Sequence, residues 1–404
     1  MIMAKPRFVI TAWLTAVLYP HLCQALSFSK LPPHAGYHAA AADPRKPFFE
    51  GWYLRVVTPQ KDSIALIFHV FDPHTTRPTQ RQGVGIQVIT PMGLAFVESQ
   101  DVSTFRADSH DLEIRNFFST GDFFRLTGNR ASGRVSSSEK GAISTEFDFD
   151  IMPQIGWGGG ADSKQFSTAG WLAAFPVFEP HYQVIMSKGL AMGSISIRDG
   201  QGVNHNLDLD GSSVYLEKNW GGSFPSSWWW IQANTFQNGI DLCVTSTGAK
   251  RRLPLLDEEE EVALVGIHWN GLFLPFPTVN WKVRWGEWQV DGIYEEYRVE
   301  LRGSCDGFGV PVRCPTSSGM EEIALETFRG DLRVILYKNN HMVLDETTSE
   351  ACLEVGGLPW SRKVWLGESV IKEPMKSVVM NENVERTISD VLQVVNAFVD
   401  IPGL

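Results

Sequence analysis

The chain has 404 residues, 43% of them hydrophobic and 20% charged, so it holds enough apolar material for large cores in two to three domains. Its formal net charge of −11 argues against nucleic acid as a partner, because phosphate binding needs a basic surface. Part of this charge lies in the acidic run 257–261, which we interpret as a solvated loop or strand edge rather than a metal site.

Residues 1–27 have the pattern of a signal-type targeting segment. Lys5 and Arg7 give a positive start, and the apolar stretch that follows is too short to span a bilayer comfortably. Ala25 and Ser27 are small residues at positions −3 and −1 of a cleavage site before Phe28. A Phe directly after such a site resembles the two-part plastid address of algae with complex plastids. Plain secretion is the alternative destination.

After this leader the sequence predicts strands separated by turns. Four short β-type runs come first, with Gly, Pro or Asp between them: 51–58, 62–71, 83–90 and 93–100. This spacing is typical of an antiparallel sandwich or barrel. In 62–71 both faces are apolar, as expected of a barrel strand that lines an apolar cavity and also packs on its outside. A further strand signal at 143–151 alternates more cleanly between apolar and polar residues.

The centre of the chain, 156–180, is rich in loops, and strand signals return after it. These later strands are predicted at 182–187, 192–198, 228–236, 240–247, 262–269, 279–285, 294–301, 332–338 and 341–348. Apolar residues at helical spacing between Val384 and Phe398 predict a C-terminal helix. We therefore predict an all-β chain in two halves. Its divisions are a targeting segment at 1–27, a short transit or linker segment at 28–33, an N-terminal half at 34–222 and a C-terminal half at 223–404.

Familiar cofactor motifs do not occur in this sequence. GVGIQV at 83–88 lacks the third glycine of a dinucleotide fingerprint, and no P-loop, HExxH or GxSxG is present. His34 and His38 are four residues apart, but Gly36 between them weakens a helical metal face. We expect no metal and no cofactor, so any chemistry must use side chains alone.

The segment 217–234, EKNWGGSFPSSWWWIQAN, is the most informative part of the sequence. It places four tryptophans beside the acid-base pair Glu217-Lys218. Apolar walls raise the pKa of a carboxyl group by desolvation, so an acid in such a pocket stays protonated near neutral pH. The alternative is a hydrophobic core under a Gly-rich turn. Two other segments, 47–53 and 170–181, also join Trp or Phe to a carboxylate.

These segments resemble the tocopherol cyclase family. The resemblance runs through nearly all of 32–404 and rests on long, specific motifs: PPHAGYH at 32–38, PFFEGWY at 47–53, STAGWLAAFPVFEPHYQ at 167–183, EKNWGGSFP at 217–225, LPWSRKVW at 358–365 and a PGL tail at 402–404. A longer GWGGGADSKQ loop and the acidic run 257–261 depart from the family pattern without touching these motifs.

The resemblance implies a fold, an activity and a location. The fold would be two lipocalin-like antiparallel β-barrel halves. The activity would be the acid-catalysed closure of a methylated phytyl-benzoquinol to the chromanol ring of vitamin E, without a cofactor. The enzyme would work in a plastid (chloroplast), peripherally at a lipid or membrane surface such as the plastoglobule or thylakoid, with the prenylated benzoquinol as its substrate.

The same motifs supply candidate site residues. We expect Glu217 to donate the proton and Asn219, on the same strand face, to orient it, whereas Lys218 would point to the other face. Glu50 is the second candidate acid. His181 is the candidate acceptor of the phenolic proton, with Glu179 as its orienting partner. The expected substrate-binding residues are Trp52, Tyr53, Trp171, Phe178, Trp220, Trp228, Trp229 and Trp230.

Two other functions fit the same pocket. One is a non-catalytic lipocalin-like carrier of prenyl lipids, which would leave the acid-bearing motifs structural. The other is a hydratase that adds water to an isoprenoid double bond, using the same acid with a water channel.

Overall fold

The computed structural model describes residues 32–39, 44–76, 82–137, 143–160, 165–168, 180–253, 258–307, 309–357 and 363–369. These residues form two antiparallel sheets and a short 3-10 helix at Gln237–Gly239, and they contain no α-helix. The predicted C-terminal helix lies outside the described residues, as do the targeting segment, Trp171, Phe178 and Glu179.

The first sheet is formed by the strands between Phe49 and Gly221. They are β1 (Phe49–Val57), β2 (Ser63–Phe71), β3 (Gly83–Thr90), β4 (Gly93–Ser99), β5 (Arg106–Ala107), β6 (Glu113–Phe117), β7 (Phe123–Thr127), β8 (Arg130–Ser136), β9 (Ser144–Ile155), β10 (His181–Arg198), β11 (Asn204–Asp208) and β12 (Ser212–Gly221). Their order is β4-β3-β2-β1-β12-β10-β9-β8-β7-β6-β5, with β11 paired to β10.

The second sheet is formed by the strands between Ser227 and Glu368. They are β13 (Ser227–Ala233), β14 (Leu242–Leu253), β15 (Glu258–Trp269), β16 (Leu272–Phe276), β17 (Thr278–Arg284), β18 (Glu287–Tyr294), β19 (Tyr297–Ser304), β20 (Val310–Thr316), β21 (Gly319–Lys338), β22 (His341–Gly356) and β23 (Trp365–Glu368). Their order is β16-β15-β14-β13-β22-β21-β19-β18-β17-β23, with β20 paired to β21.

Each sheet curls around its own apolar core and forms a half-barrel. Successive side chains of a strand point to opposite faces, so every second residue of β2, including Leu66 and Phe68, enters the first core. β4 returns against β8 in the first sheet, and β15 contacts β17 in the second. Large side chains such as Phe147 in the first core and Trp288 in the second fill these interiors.

The opposite faces of the central strands bring the two sheets together. Ala65, Val184 and Tyr215 of the first sheet share a third apolar cluster with Trp228 and Trp230 of the second. Arg55 of β1, buried between the sheets, donates from Nη1 to Gln232 Oε1 at 2.7 Å and from Nη2 to the Glu350 carbonyl at 2.7 Å. A charged group at this depth needs such partners, so Arg55 fixes how the sheets face each other.

The structure confirms the predicted all-β fold of two curled antiparallel halves. The first four predicted strands agree with β1 to β4 within two residues. The strands predicted at 182–187 and 192–198 are one strand, β10, whose pairing with β12 shifts register between Val184 and Gly189. Strands β5 to β8, β11, β12, β16, β18, β20 and β23 were not predicted. The division at 222/223 into separate domains stays a prediction, although the last strand of the first sheet ends at Gly221 and the first strand of the second begins at Ser227.

Candidate active site

A cavity of about 920 Å³ lies where the two sheets face each other. Its size falls in the range of roughly 300–1,000 Å³ that small-molecule sites occupy. Aromatic side chains from both sheets and from the segment after β9 form much of its wall, namely Tyr53, Trp157, Phe166, Tyr182, Phe224, Trp228, Trp230 and Phe273. The strand predicted to line an apolar cavity, β2, contributes Ile67 and His69 to this wall. The barrel interiors are packed with side chains, and the space lies mainly between the sheets.

Strand alternation turns Glu217 toward this cavity. On β12, Leu216 belongs to the first core, whereas Tyr215 packs in the cluster between the sheets. Glu217 lies opposite Tyr53 of β1 and Val184 of β10, both of which also belong to the inter-sheet cluster. The predicted separation of Glu217 from its neighbour Lys218 therefore agrees with the structure.

Three hydrogen-bond donors converge on one oxygen of Glu217. Its Oε2 accepts from Tyr182 Oη at 2.6 Å, from Tyr215 Oη at 2.5 Å and from Trp230 Nε1 at 3.1 Å. Oε1 accepts no hydrogen bond from the residues that the structure describes. The second oxygen is therefore available to carry a proton, while the first is prepared for the charge that remains after that proton leaves.

Burial has the largest effect on the pKa of Glu217. Desolvation raises the pKa of its carboxyl group from 4.5 to about 7, even though the hydrogen bonds from Tyr182, Tyr215 and Trp230 oppose the rise. The nearby Glu326 adds a smaller increase. A carboxyl group with this pKa is partly protonated at neutral pH, which is the condition for a general acid.

Two further carboxyl groups, which the sequence analysis missed, lie on the second sheet: Glu326 is buried and Glu354 is half-buried. Trp228 Nε1 donates to Glu354 Oε1, and Tyr53 Oη donates to Glu326 Oε1 at 2.5 Å. Burial raises the pKa of Glu326 to about 7 and that of Glu354 well above its ordinary value. Glu354 lines the cavity. Acidic residues inside the apolar runs 323–328 and 351–355 were the signal that could have identified them.

Glu50, the second candidate acid, lies in a charge cluster on the opposite face of β1 from Tyr53. Lys218 Nζ forms an ion pair with Glu50 Oε1, His38 Nδ1 lies 3.3 Å from the same oxygen, and Lys218 also donates to the Gly36 carbonyl at 2.8 Å. Burial favours the neutral acid, but Lys218 and His38 outweigh it and hold the pKa of Glu50 below its ordinary value. This corrects the expectation for Glu50, because a carboxylate held ionised is a poor proton donor.

His181 and Asn219 both line the cavity, but on different faces of the first sheet. Asn219 is two residues from Glu217 on β12 and shares its face, as predicted. His181 lies opposite Trp220 and stacks on its ring, with centroids 5.0 Å apart. Trp220 in turn stacks on His38 at 4.2 Å and does not itself line the cavity. The structure therefore does not pair His181 with Glu217 on one face.

The predicted aromatic walls are divided by the alternation of β1 and β13. Tyr53, Trp228 and Trp230 line the cavity, and Trp52 borders it from the first core. Trp229 points the other way, into the second core, where its ring lies 5.8 Å from that of Trp281. The assignment of Trp229 to the substrate pocket is therefore corrected.

Gly266 of β15 is needed for one wall of the cavity. A Cβ at this position would lie 2.1 Å from the ring of Trp157, so a larger residue would displace that ring. Trp157 packs edge-on against Phe273 at 5.0 Å, and His268 stacks on Phe273 at 4.5 Å. These contacts form an aromatic wall at β15 and β16, which are two and three strands away from β13 in the sheet order.

Neither a metal-binding cluster nor a membrane-spanning helix occurs among the described residues. Within them, no group of three or more His, Cys, Asp or Glu side chains is arranged to hold a metal ion. None of their helices is long and apolar enough to cross a membrane.

Comparison with known proteins gives the family. Residues 46–357 match the family model described as "Tocopherol cyclase-like". The chain is 33% identical over 399 residues to the chloroplastic tocopherol cyclase of Zea mays, with 86% of this chain and 82% of that protein covered. It is 32% identical over 400 residues to a chloroplastic protein of Oryza sativa subsp. japonica named as a probable tocopherol cyclase, covering 86% and 83%.

Two solved structures are similar at a lower level. An AttH-type protein from Nitrosomonas europaea matches with a TM-score of 0.44 and 14% identity, over 82% of this chain and 97% of that one. Kievitone hydratase from Nectria haematococca matches with a TM-score of 0.40 and 12% identity, over 83% and 93%. The family match covers most of the sheets that build the cavity, and the chain belongs to the tocopherol cyclase-like family.

Proposed function

We propose that this protein is a tocopherol cyclase that closes the chromanol ring of a methylated phytyl-benzoquinol by acid catalysis. The observation that carries the proposal is Glu217, a buried carboxyl group with a pKa of about 7 that faces an aromatic cavity large enough for such a substrate. The names of the plant relatives support the reaction, and the carboxyl group supplies the chemistry that the reaction requires.

The reaction needs a proton donor and a held nucleophile. Glu217 gives a proton to the trisubstituted double bond of the prenyl tail, and the tertiary cation that develops is captured by the phenol oxygen of the same molecule. The three donors on Oε2 stabilise the carboxylate that remains. Holding the phenol oxygen next to the alkene makes the capture intramolecular, which removes most of its entropic cost. Asn219 is placed to orient Glu217 or the phenol.

The aromatic walls serve the reaction in two ways. Tyr53, Trp228 and Trp230 bind the apolar substrate and keep water from the cation, which water would otherwise convert to a tertiary alcohol. Their ring faces also stabilise positive charge, by about 0.5–2 kcal/mol for each contact. We place the prenyl tail along the apolar wall of Trp157, Phe166 and Phe273.

The cellular setting is part of the same proposal. Both plant relatives are named as chloroplastic, and the first 27 residues have a signal-type pattern. We therefore propose a plastid location and work at a lipid surface, such as that of the plastoglobule, where a prenylated quinol would be found. The experiment for this proposal is to express the full chain with a C-terminal fluorescent tag in an alga with complex plastids. Accumulation in the secretory pathway would contradict it.

Product analysis tests the reaction. Purified protein is incubated with pre-reduced phytyl-benzoquinol under inert gas, and the products are separated and identified by mass. A chromanol is the expected product. A tertiary alcohol would show a hydratase, and unchanged quinol that co-purifies with the protein would show a carrier.

A further inference from the structure

His181 was the predicted acceptor of the phenolic proton, but another side chain, that of Glu354, faces the cavity together with Glu217. Each turnover puts one proton on the alkene and removes one from the phenol, so the site needs a base as well as an acid. His181 leaves β10 on the face opposite to that of Glu217 and stacks on Trp220. Glu354 faces the same inter-sheet space as Glu217.

Strand β13 relates the two carboxyl groups directly. Trp228 and Trp230 are two residues apart and share a face, and each uses its indole N–H to hold one carboxyl group: Trp228 holds Glu354 and Trp230 holds Glu217. Glu354 is also the register partner of Trp230 on the neighbouring strand β22. Side chains of directly opposed residues lie about 4.5–5.5 Å apart at Cβ, so Glu354 lies beside the indole that binds Glu217.

Glu354 has an oxygen free for a ligand. Its Oε1 accepts from Trp228, and Oε2 forms no hydrogen bond with the described residues. No Lys, Arg or His among those residues forms an ion pair with Glu354 or Glu217. The titratable groups that face Glu354 are Glu326 of β21, Cys314 of β20 and Glu217 of the first sheet, and the two glutamates make a charge on Glu354 costly.

We propose that Glu354 is a second catalytic residue, the base that takes the proton of the hydroxyl group that closes the ring. This inference rests on the proposed cyclase reaction. In the working form the pair carries one proton: the bound phenol hydroxyl donates to Glu354 Oε2 and stabilises its carboxylate, so Glu217 holds the proton. The Glu217 O–H bond breaks as a C–H bond forms on the alkene. The phenol O–H bond breaks as the C–O bond forms, and that proton passes to Glu354. Solvent returns the proton to Glu217 while the product leaves.

Electrostatic coupling links the two transfers. When Glu217 gives up its proton it becomes negative, and a like charge nearby increases the proton affinity of Glu354. Burial raises the pKa of Glu354 well above its ordinary value, so Glu354 is protonated in the free enzyme. Once the bound hydroxyl group has favoured its ionised form, its carboxylate is a strong base. Glu354 therefore becomes more basic at the same time as the phenol O–H becomes more acidic, because the phenol oxygen is then bonding to the cation.

The test compares three isosteric variants, Glu354→Gln, Glu217→Gln and Glu350→Gln, with pre-reduced quinol in D₂O. Glu350 is the control, because it is a buried carboxyl group on the same strand, β22, and does not line the cavity. Chromanol formation should fall about 10²–10⁴-fold in Glu354→Gln and remain within threefold of wild type in Glu350→Gln.

Deuterium in the unreacted quinol separates the base from the acid. Glu354→Gln retains the donor, so the alkene is still protonated, and a cation that is not captured returns to alkene carrying deuterium. Glu217→Gln has no donor, and its recovered quinol should stay unlabelled. Mass spectrometry of the recovered quinol reads this difference, which a purely structural role of Glu354 would not produce.

The outcomes are distinct from a failure of the cyclase proposal. Glu354→Gln activity within tenfold of wild type, or a large loss without deuterium in the quinol, would overturn the role of Glu354. Absence of chromanol from the wild-type protein would instead overturn the cyclase proposal. Glu354→Asp is the second variant, because it keeps a base with a shorter reach. It should restore part of the activity that Glu354→Gln loses.

Discussion

Glu217 shows how the surroundings of one side chain determine its chemistry. Its burial favours the neutral acid, and its three hydrogen bonds favour the carboxylate, so that the pKa settles at about 7. Glu50 has the same side chain and a deeper burial, but Lys218 and His38 hold it ionised. Two glutamates on adjacent strands are thereby separated into an acid that can donate and an anion that cannot.

Replacing Glu217 tests its role as donor. Glu217→Gln should reduce chromanol formation about 10²–10⁴-fold, because the amide keeps the shape of the side chain but has no proton of suitable acidity. The affinity for the quinol, measured by the quenching of tryptophan fluorescence, should change little. Turnover within tenfold of wild type would rule out Glu217 as the donor.

The raised pKa of Glu217 also predicts how stability depends on pH. The folded protein binds this proton more tightly than the unfolded chain, so the resulting stabilisation is fully present below pH 4.5 and is lost as the pH rises through about 7. The free energy of unfolding of wild type relative to Glu217→Gln should fall by about 3 kcal/mol between pH 4.5 and pH 8. Glu326 titrates in both proteins, so its contribution largely cancels. Denaturant unfolding at the two pH values measures the difference, and a constant difference would contradict the raised pKa.

Strand β13 divides one run of three tryptophans between two environments. Trp228 and Trp230 turn toward the cavity and hold carboxyl groups, whereas Trp229 packs against Trp281 in the second core. Successive side chains of a strand point to opposite faces of the sheet, so adjacent tryptophans contact different surroundings. The strand is thus both a wall of the site and a part of the fold.

This division predicts opposite effects for two neighbouring substitutions. Trp230→Ala should open the cavity wall and let water compete for the cation, so that a tertiary alcohol appears at the expense of chromanol. Trp229→Ala should destabilise the protein by about 3–5 kcal/mol and leave the product ratio unchanged. Product analysis and thermal unfolding of both variants test this pair. Alcohol formation by Trp229→Ala but not by Trp230→Ala would contradict the observed strand face.

The two half-barrels make the site only when they are combined. The first sheet supplies Glu217 and its two tyrosines, and the second supplies Trp228, Trp230 and Glu354. Arg55 connects the sheets through Gln232 and the Glu350 carbonyl. Neither sheet contains the complete arrangement, so the activity belongs to the whole molecule.

The proposed reaction is redox-neutral and moves only protons, which predicts how the whole enzyme responds to additives. Turnover of pre-reduced quinol should survive EDTA and the removal of all nucleotides. Reductant should matter only by keeping the substrate in its quinol form, because the quinone has no nucleophilic hydroxyl group. The assay uses inert gas and protein desalted in chelator. A strict requirement for added metal or NADPH under those conditions would contradict the acid-base mechanism.

Local sequence pattern was enough for the all-β class, for several strand positions and for the importance of 217–234. It also placed Glu217 and Lys218 on opposite faces, because strand alternation is a local property. The motifs that resemble tocopherol cyclases led to the family, which the match over 46–357 then confirmed.

The remaining features depend on contacts between residues distant in sequence. Sequence could not show that Glu50 is held ionised by Lys218, 168 positions away. It could not show that Trp229 enters a core formed with Trp281, because alternation separates faces without naming the buried partner. The sequence also did not predict the contact between Glu354 and Trp228, because the strands β13 and β22 that pair there are more than 100 residues apart. The pKa of a buried acid depends on all groups around it, and those groups assemble only when the two sheets pack.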